Sequence, residues 1–194
     1  MLRTATMGRL RREPIPMIPS PDTRLIDLLD RTQTTSGRNL LSLVDEKPML
    51  LVFLRHFGCG FTRETLHDVS KAKAALDMRG VRPVFVHMTT PERAERFFRR
   101  FGLQGVLHVS DPETRLYQAP EFHLLKASAL QHFFGARAYI KTAKRVLFRY
   151  GVGRPVNEDP EQLPGVFFLK NRMIHRAFRH KALGDRPDYG IFGV

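Results

Sequence analysis

The sequence has a single cysteine, Cys59, in 194 residues. That excludes a disulfide within the chain and a cysteine-only metal cluster built from one copy. Any disulfide has to form with another molecule. Long apolar runs are missing too, since nothing approaches the ~20 residues that a membrane helix needs. Acids are scarce, with 19 Asp and Glu against 32 Lys and Arg and a net charge of +13. Such a balance raises long-range attraction to nucleic acid, anionic lipid or acidic partners. Neither zinc-finger spacing nor an aromatic–basic RNA-binding signature accompanies it, which argues against nucleic acid. The basic N-terminus (Arg3, Arg9, Arg11, Arg12) lacks the apolar stretch of a secretory signal. A cytoplasmic location is therefore expected, with an organelle transit peptide as the other reading of that segment. The eight histidines show no ligand spacing, and no carboxylate pair or glycine-rich phosphate loop stands out, so no metal is expected.

What is present suits one globular domain. Hydrophobic residues make up 42% of the chain and charged residues 26%, and the length supports a full core. Residues 1–22, with Pro14, Pro16, Pro19 and Pro21, read as a flexible arm, and 23–190 as the folded domain. Met49 to Leu54 is a continuous apolar run, which predicts a strand buried on both faces. A strand-to-helix turn follows, then a helix to about Met78 with Leu66, Val69, Ala72 and Leu76 on one face and Gly80 closing it. Val81 to His87 reads as a second strand. Thr90–Pro91–Glu92 starts a helix with a hydroxyl cap and a proline in the first turn. Val106 to Val109 is a third strand, and a short helix is expected around Thr114 to Ala119. Residues 121–160 read as a helical insertion that carries no acid between Glu121 and Glu158. Val166 to Leu169 and Met173 to Phe178 form a hairpin candidate. Alternating units followed by a hairpin predict an α/β domain with a central mixed sheet and helices on both faces.

Cys59 sits where the buried strand gives way to the helix. Unpaired N–H groups and the helix dipole stabilise a thiolate there, and Arg55, Arg63 and His56 are expected to add positive potential. Gly58 and Gly60 leave room for a substrate to reach the sulfur. The competing reading is a small buried hydrophobe.

The segment from Phe53 to Glu64 resembles the active-site segment of the peroxiredoxin-like 2, or selenoprotein-L-related, branch of the AhpC/TSA group within the thioredoxin-like superfamily. Val109–Ser110–Asp111–Pro112, Leu116–Tyr117, Gln162 to Phe167, Arg179–His180 and Asp185–Arg186–Pro187 fit the same branch in the same order. The resemblance covers about residues 24–190. It implies a thioredoxin-like fold with a cis-proline, matched by Pro164, ahead of the hairpin and against the thiol. Many relatives carry Cys-x-x-Cys, whereas this chain has Cys59–Gly60–Phe61–Thr62. Aligned instead on the peroxiredoxin pattern Pro-x-x-x-Thr-x-x-Cys, Thr62 falls at the peroxide-reactive cysteine, Cys59 at the threonine and Arg55 at the proline.

Two readings follow. One is a monothiol oxidoreductase or antioxidant protein acting on a peroxide or disulfide. Cys59 is its nucleophile, assisted by Thr62 and Arg55, and Pro164, Gly58, Gly60, Phe61 and Arg63 line the substrate site. It needs no bound cofactor, but an external small thiol such as glutathione, or a thioredoxin-type reductant, must release the oxidised cysteine. The other is a redox-inactive thioredoxin-fold binding module. The basic insertion can serve an anionic membrane surface or an acidic partner, or pack on the core with a solvated face.

Overall fold

A computed structural model describes residues 22–127, 144, 146–182 and 184–189. The expected N-terminal arm and the middle of the basic insertion lie outside the described residues. In chain order the elements are α1 (Thr23–Arg31), α2 (Leu40–Glu46), β1 (Met49–Phe53), α3 (Gly60–Met78), β2 (Arg82–His87), α4 (Pro91–Arg100), β3 (Leu107–Ser110), β4 (Gly165–Lys170) and β5 (Met173–Arg179). The five strands form one sheet in the order β3-β2-β1-β4-β5. β1, β2 and β3 run parallel, and β4 pairs antiparallel to both β1 and β5. This is the thioredoxin-like α/β arrangement expected from the sequence.

The apolar run of β1 divides between two cores. Met49, Leu51 and Phe53 point to the side packed by α1, α2 and the 116–122 segment. Leu50 and Val52 point to the side packed by α3 and α4. Side chains alternate along a strand, so a central strand with both faces covered has to be apolar throughout. All five β1 residues are buried. Phe53 anchors the first core, with Tyr117, Phe122 and Phe167 within 4.8–5.6 Å of its ring.

Tyr117 also pins the end of β1. Its hydroxyl donates to the Leu54 carbonyl at 2.5 Å, shared with the Val86 carbonyl at 2.9 Å. The turn carrying Cys59 therefore starts from a fixed point. At the far end of α3, Gly80 takes a positive φ of 67° and closes the helix, as its sequence position predicts.

The structure departs from the sequence reading in four places. The expected helix at 114–119 is only a run of turns, held by Asp111 accepting from the Arg115 and Leu116 amides; Pro120 blocks its continuation. Thr90 does sit at the N-cap of α4, yet its side chain makes no cap bond. Neither described end of the 121–160 insertion is helical: 121–127 is turn and irregular backbone, helix ends at 150, and 151–160 is irregular. Gly151 takes φ 66°, and Pro155 and Pro160 exclude helix beyond it. Finally, no peptide bond among the described residues is cis, so Pro164 precedes β4 in the trans form that X–Pro bonds favour.

Candidate active site

Cys59 is the N-cap residue of α3, with extended backbone and no side-chain cap bond. Its amide donates to the His56 carbonyl at 2.9 Å, which tightens the turn. The residue is 7% exposed. Arg55 Nη1 donates to Cys59 Sγ at 3.1 Å. The same guanidinium donates from Nε to the Gln162 carbonyl at 3.1 Å and from Nη2 to the Pro160 carbonyl. Arg55 is itself buried, so its charge acts in a weakly screened setting. A guanidinium aimed at a sulfur beside a helix N-terminus brings two sources of positive potential to one atom.

His56 does not add the positive potential expected of it. Burial, then repulsion from Arg55 and Arg93, lowers it to about 4, so the imidazole is neutral at neutral pH. Arg63 also faces elsewhere. It donates to the Phe57 carbonyl at 3.3 Å and the Tyr150 carbonyl at 2.7 Å. Its role in this geometry is to tie the end of the basic insertion to the turn.

That insertion forms the roof of the site. Val146 packs on Gly60, and the Gly153 amide donates to the Gly58 carbonyl at 2.8 Å. A Cβ at position 58 would lie 2.5 Å from the Gly153 oxygen and 2.6 Å from the Arg154 oxygen, both backbone atoms. Gly58 is therefore required by the close approach of the roof, and not only by access to the sulfur. Glu158 fastens the far end: its buried carboxylate accepts from the Phe57 amide at 3.2 Å and the Val156 amide at 3.3 Å, with Arg93 at 3.9 Å. Between roof and turn lies a cleft of about 510 Å³, bounded by Arg55, Cys59, Phe61, Lys144, Leu147 and Val152.

The structure brings Cys59, Arg55, Gly58, Gly60 and Phe61 together around this cleft. It places Thr62 and Pro164 in a separate cavity of about 10 Å³, shared with Arg55, Phe61, His180 and Arg186. The Thr62 hydroxyl is buried and has no hydrogen-bond partner among the described residues, and neither has His180 Nδ1. Burial lowers His180 to about 4. Among the described residues, no group of three His, Cys, Asp or Glu side chains could hold a metal.

Sequence reasoning missed Glu158 and the His87–His108 pair. Glu158 is the first acid after a long acid-free stretch, and that isolation was the available signal. His87 Nε2 and His108 Nδ1 lie 2.8 Å apart, buried between β2 and β3, with the Phe57 ring 5.9 Å from His87. Strand pairing creates that contact, so no local spacing announces it.

A family model described as AhpC/TSA antioxidant enzyme matches residues 68–182. The matched region begins within α3, so the turn carrying Cys59 lies just before it. Among solved structures, a cysteine-to-serine mutant of peroxiredoxin 6 from Arenicola marina is similar, with 14% identity and a TM-score of 0.56, over 83% of this chain and 66% of that one. The bacterioferritin comigratory protein of Xanthomonas campestris, whose structures concern alkyl peroxide reduction, is similar at 16% identity and a TM-score of 0.52, over 84% of this chain and 86% of that one. At such identities the likeness shows the fold. No curated protein sequence matches the chain. No helix among the described residues is long and apolar enough to cross a membrane.

Proposed function

The chain belongs to the AhpC/TSA antioxidant enzyme family, and on that premise we propose that it is a monothiol oxidoreductase with Cys59 as nucleophile. The observation that carries this reading is the Arg55 Nη1 to Cys59 Sγ contact at 3.1 Å, beneath an apolar cleft. The guanidinium holds the sulfur at the edge of the cleft.

With a peroxide ROOH, the thiolate attacks the distal oxygen. A sulfur–oxygen bond forms, the oxygen–oxygen bond breaks, and the alkoxide leaves and takes a proton as ROH. Cys59 becomes a sulfenic acid, having lost two electrons. An external thiol condenses with it, releasing water and forming a mixed disulfide. A second external thiol attacks that disulfide, releases the oxidised pair and returns the thiolate. Each turnover reduces one peroxide and oxidises two thiols. This sequence of steps assigns Thr62 no part, in keeping with its place along the neighbouring cavity and not the cleft.

The test is trapping. Dilute peroxide followed by dimedone should label Cys59 as a sulfenic acid adduct detectable by mass spectrometry. With glutathione present, peroxide loss should require Cys59. If no adduct forms and no peroxide is consumed, the binding-module reading takes its place.

A further inference from the structure

The roof over the cleft carries more apolar surface than the fold uses. Val146 is buried against Gly60, and Leu147 and Val152 bound the cleft with part of their surface. Much of this apolar surface is nevertheless open to water: Phe148 is 88% exposed, and Leu147, Val152 and Val156 are about half exposed or more. The segment is held without them, through the Gly153–Gly58 and Arg63–Tyr150 bonds and through Glu158. A phenylalanine held in water on a fixed helical turn contributes nothing to the core and is costly to leave uncovered.

Charge indicates what covers it. Lys144, Arg149 and Arg154 are exposed around these apolar residues. The sequence has no acid from 122 to 157 to neutralise them, and the acid that ends the stretch, Glu158, is buried and faces inward. Apolar side chains ringed by cations of one sign match a surface with a negative outer layer over an apolar interior. We propose that the roof, residues 144 and 146–156, docks on an anionic phospholipid bilayer, with Phe148 and Leu147 entering the interface and Lys144, Arg149 and Arg154 meeting the headgroups. The proposal concerns the roof and is independent of the redox reading.

The full chain should be sedimented with vesicles of phosphatidylcholine alone and of phosphatidylcholine with phosphatidylserine in equal parts. Binding is expected to the mixed vesicles and to weaken with salt. Phe148→Ser combined with Leu147→Ser leaves the charge unchanged and should lower the affinity about tenfold. Cys59→Ser should bind as the wild type does, which separates docking from catalysis. Circular dichroism melting should be the same for the double variant, because these side chains lie outside the core. Failure to bind the mixed vesicles would overturn the proposal. So would full binding by the double variant, which would assign the affinity to net charge. A dimer in gel filtration that the double variant abolishes would identify a second copy as the occupant and overturn it as well.

Discussion

Two spaces flank Arg55, one turn of α3 apart, and they differ in almost every respect. The cleft at Cys59 is about 510 Å³, open and apolar, with a cation held on its sulfur. The cavity at Thr62 is about 10 Å³, and the Thr62 hydroxyl has no partner among the described residues. In the peroxiredoxin spacing, the reactive position is the one that Thr62 occupies here. In this chain the thiol, the charge and the space have all gathered at position 59. Chemistry at the start of this helix therefore depends on which residue the neighbouring loops leave accessible, and not on the helix alone.

The sharpest way to break this comparison is to remove the thiol. Cys59→Ser should reduce peroxide-dependent thiol oxidation to the uncatalysed background, measured with glutathione in a coupled assay, while the fold persists. Acidification tests both spaces together, because His56 lines the cleft and His180 the cavity. Both are lowered to about 4 by burial, and the buried His87 to about 3. An unfolded histidine titrates near 6.5, so below that value the unfolded chain binds more protons than the folded one. The stability these groups confer is complete above about 6.5 and is lost as the pH falls toward 4 and 3. The melting temperature should drop by about 10 °C between pH 7 and pH 5. Replacing His87 with Gln, which keeps an amide toward His108, should flatten that slope.

Gly58→Ala attacks the roof. The added methyl meets the Gly153 and Arg154 carbonyls, and a loss of about 1–3 kcal/mol is expected by thermal or urea unfolding. Proteolysis within 144–160 should accelerate. The smallest expected effect is at the cavity. Thr62→Val removes a hydroxyl that makes no hydrogen bond to the described residues, so stability should rise by about 1 kcal/mol and thiol turnover should not change. A loss of turnover in Thr62→Val would return the threonine to the catalytic set.

The fold was legible where the sequence is periodic or punctuated. The fully apolar β1, the closure of α3 at Gly80 and the hairpin of β4 and β5 all follow from local pattern. The site was legible in part. Cys59, Arg55, Gly58, Gly60 and Phe61 are close in sequence and meet because one turn carries them. The rest comes from distant segments. The roof reaches the turn through Gly153 and Glu158, some hundred residues on, and nothing local shows that Arg63 is tied to it. The cis state expected at Pro164 came from resemblance alone. The carbonyls just before that proline, at 160 and 162, instead receive the Arg55 guanidinium.

The central claim is that the Arg55 contact makes Cys59 a reactive nucleophile, and the alkylation rate of Cys59 tests it most directly. Measured with iodoacetamide at pH 7, Cys59 of the wild type should react faster than a free cysteine under the same conditions. The Arg55→Met variant should react about tenfold more slowly than the wild type. A wild-type rate equal to that of a free cysteine, unchanged by Arg55→Met, would contradict the claim.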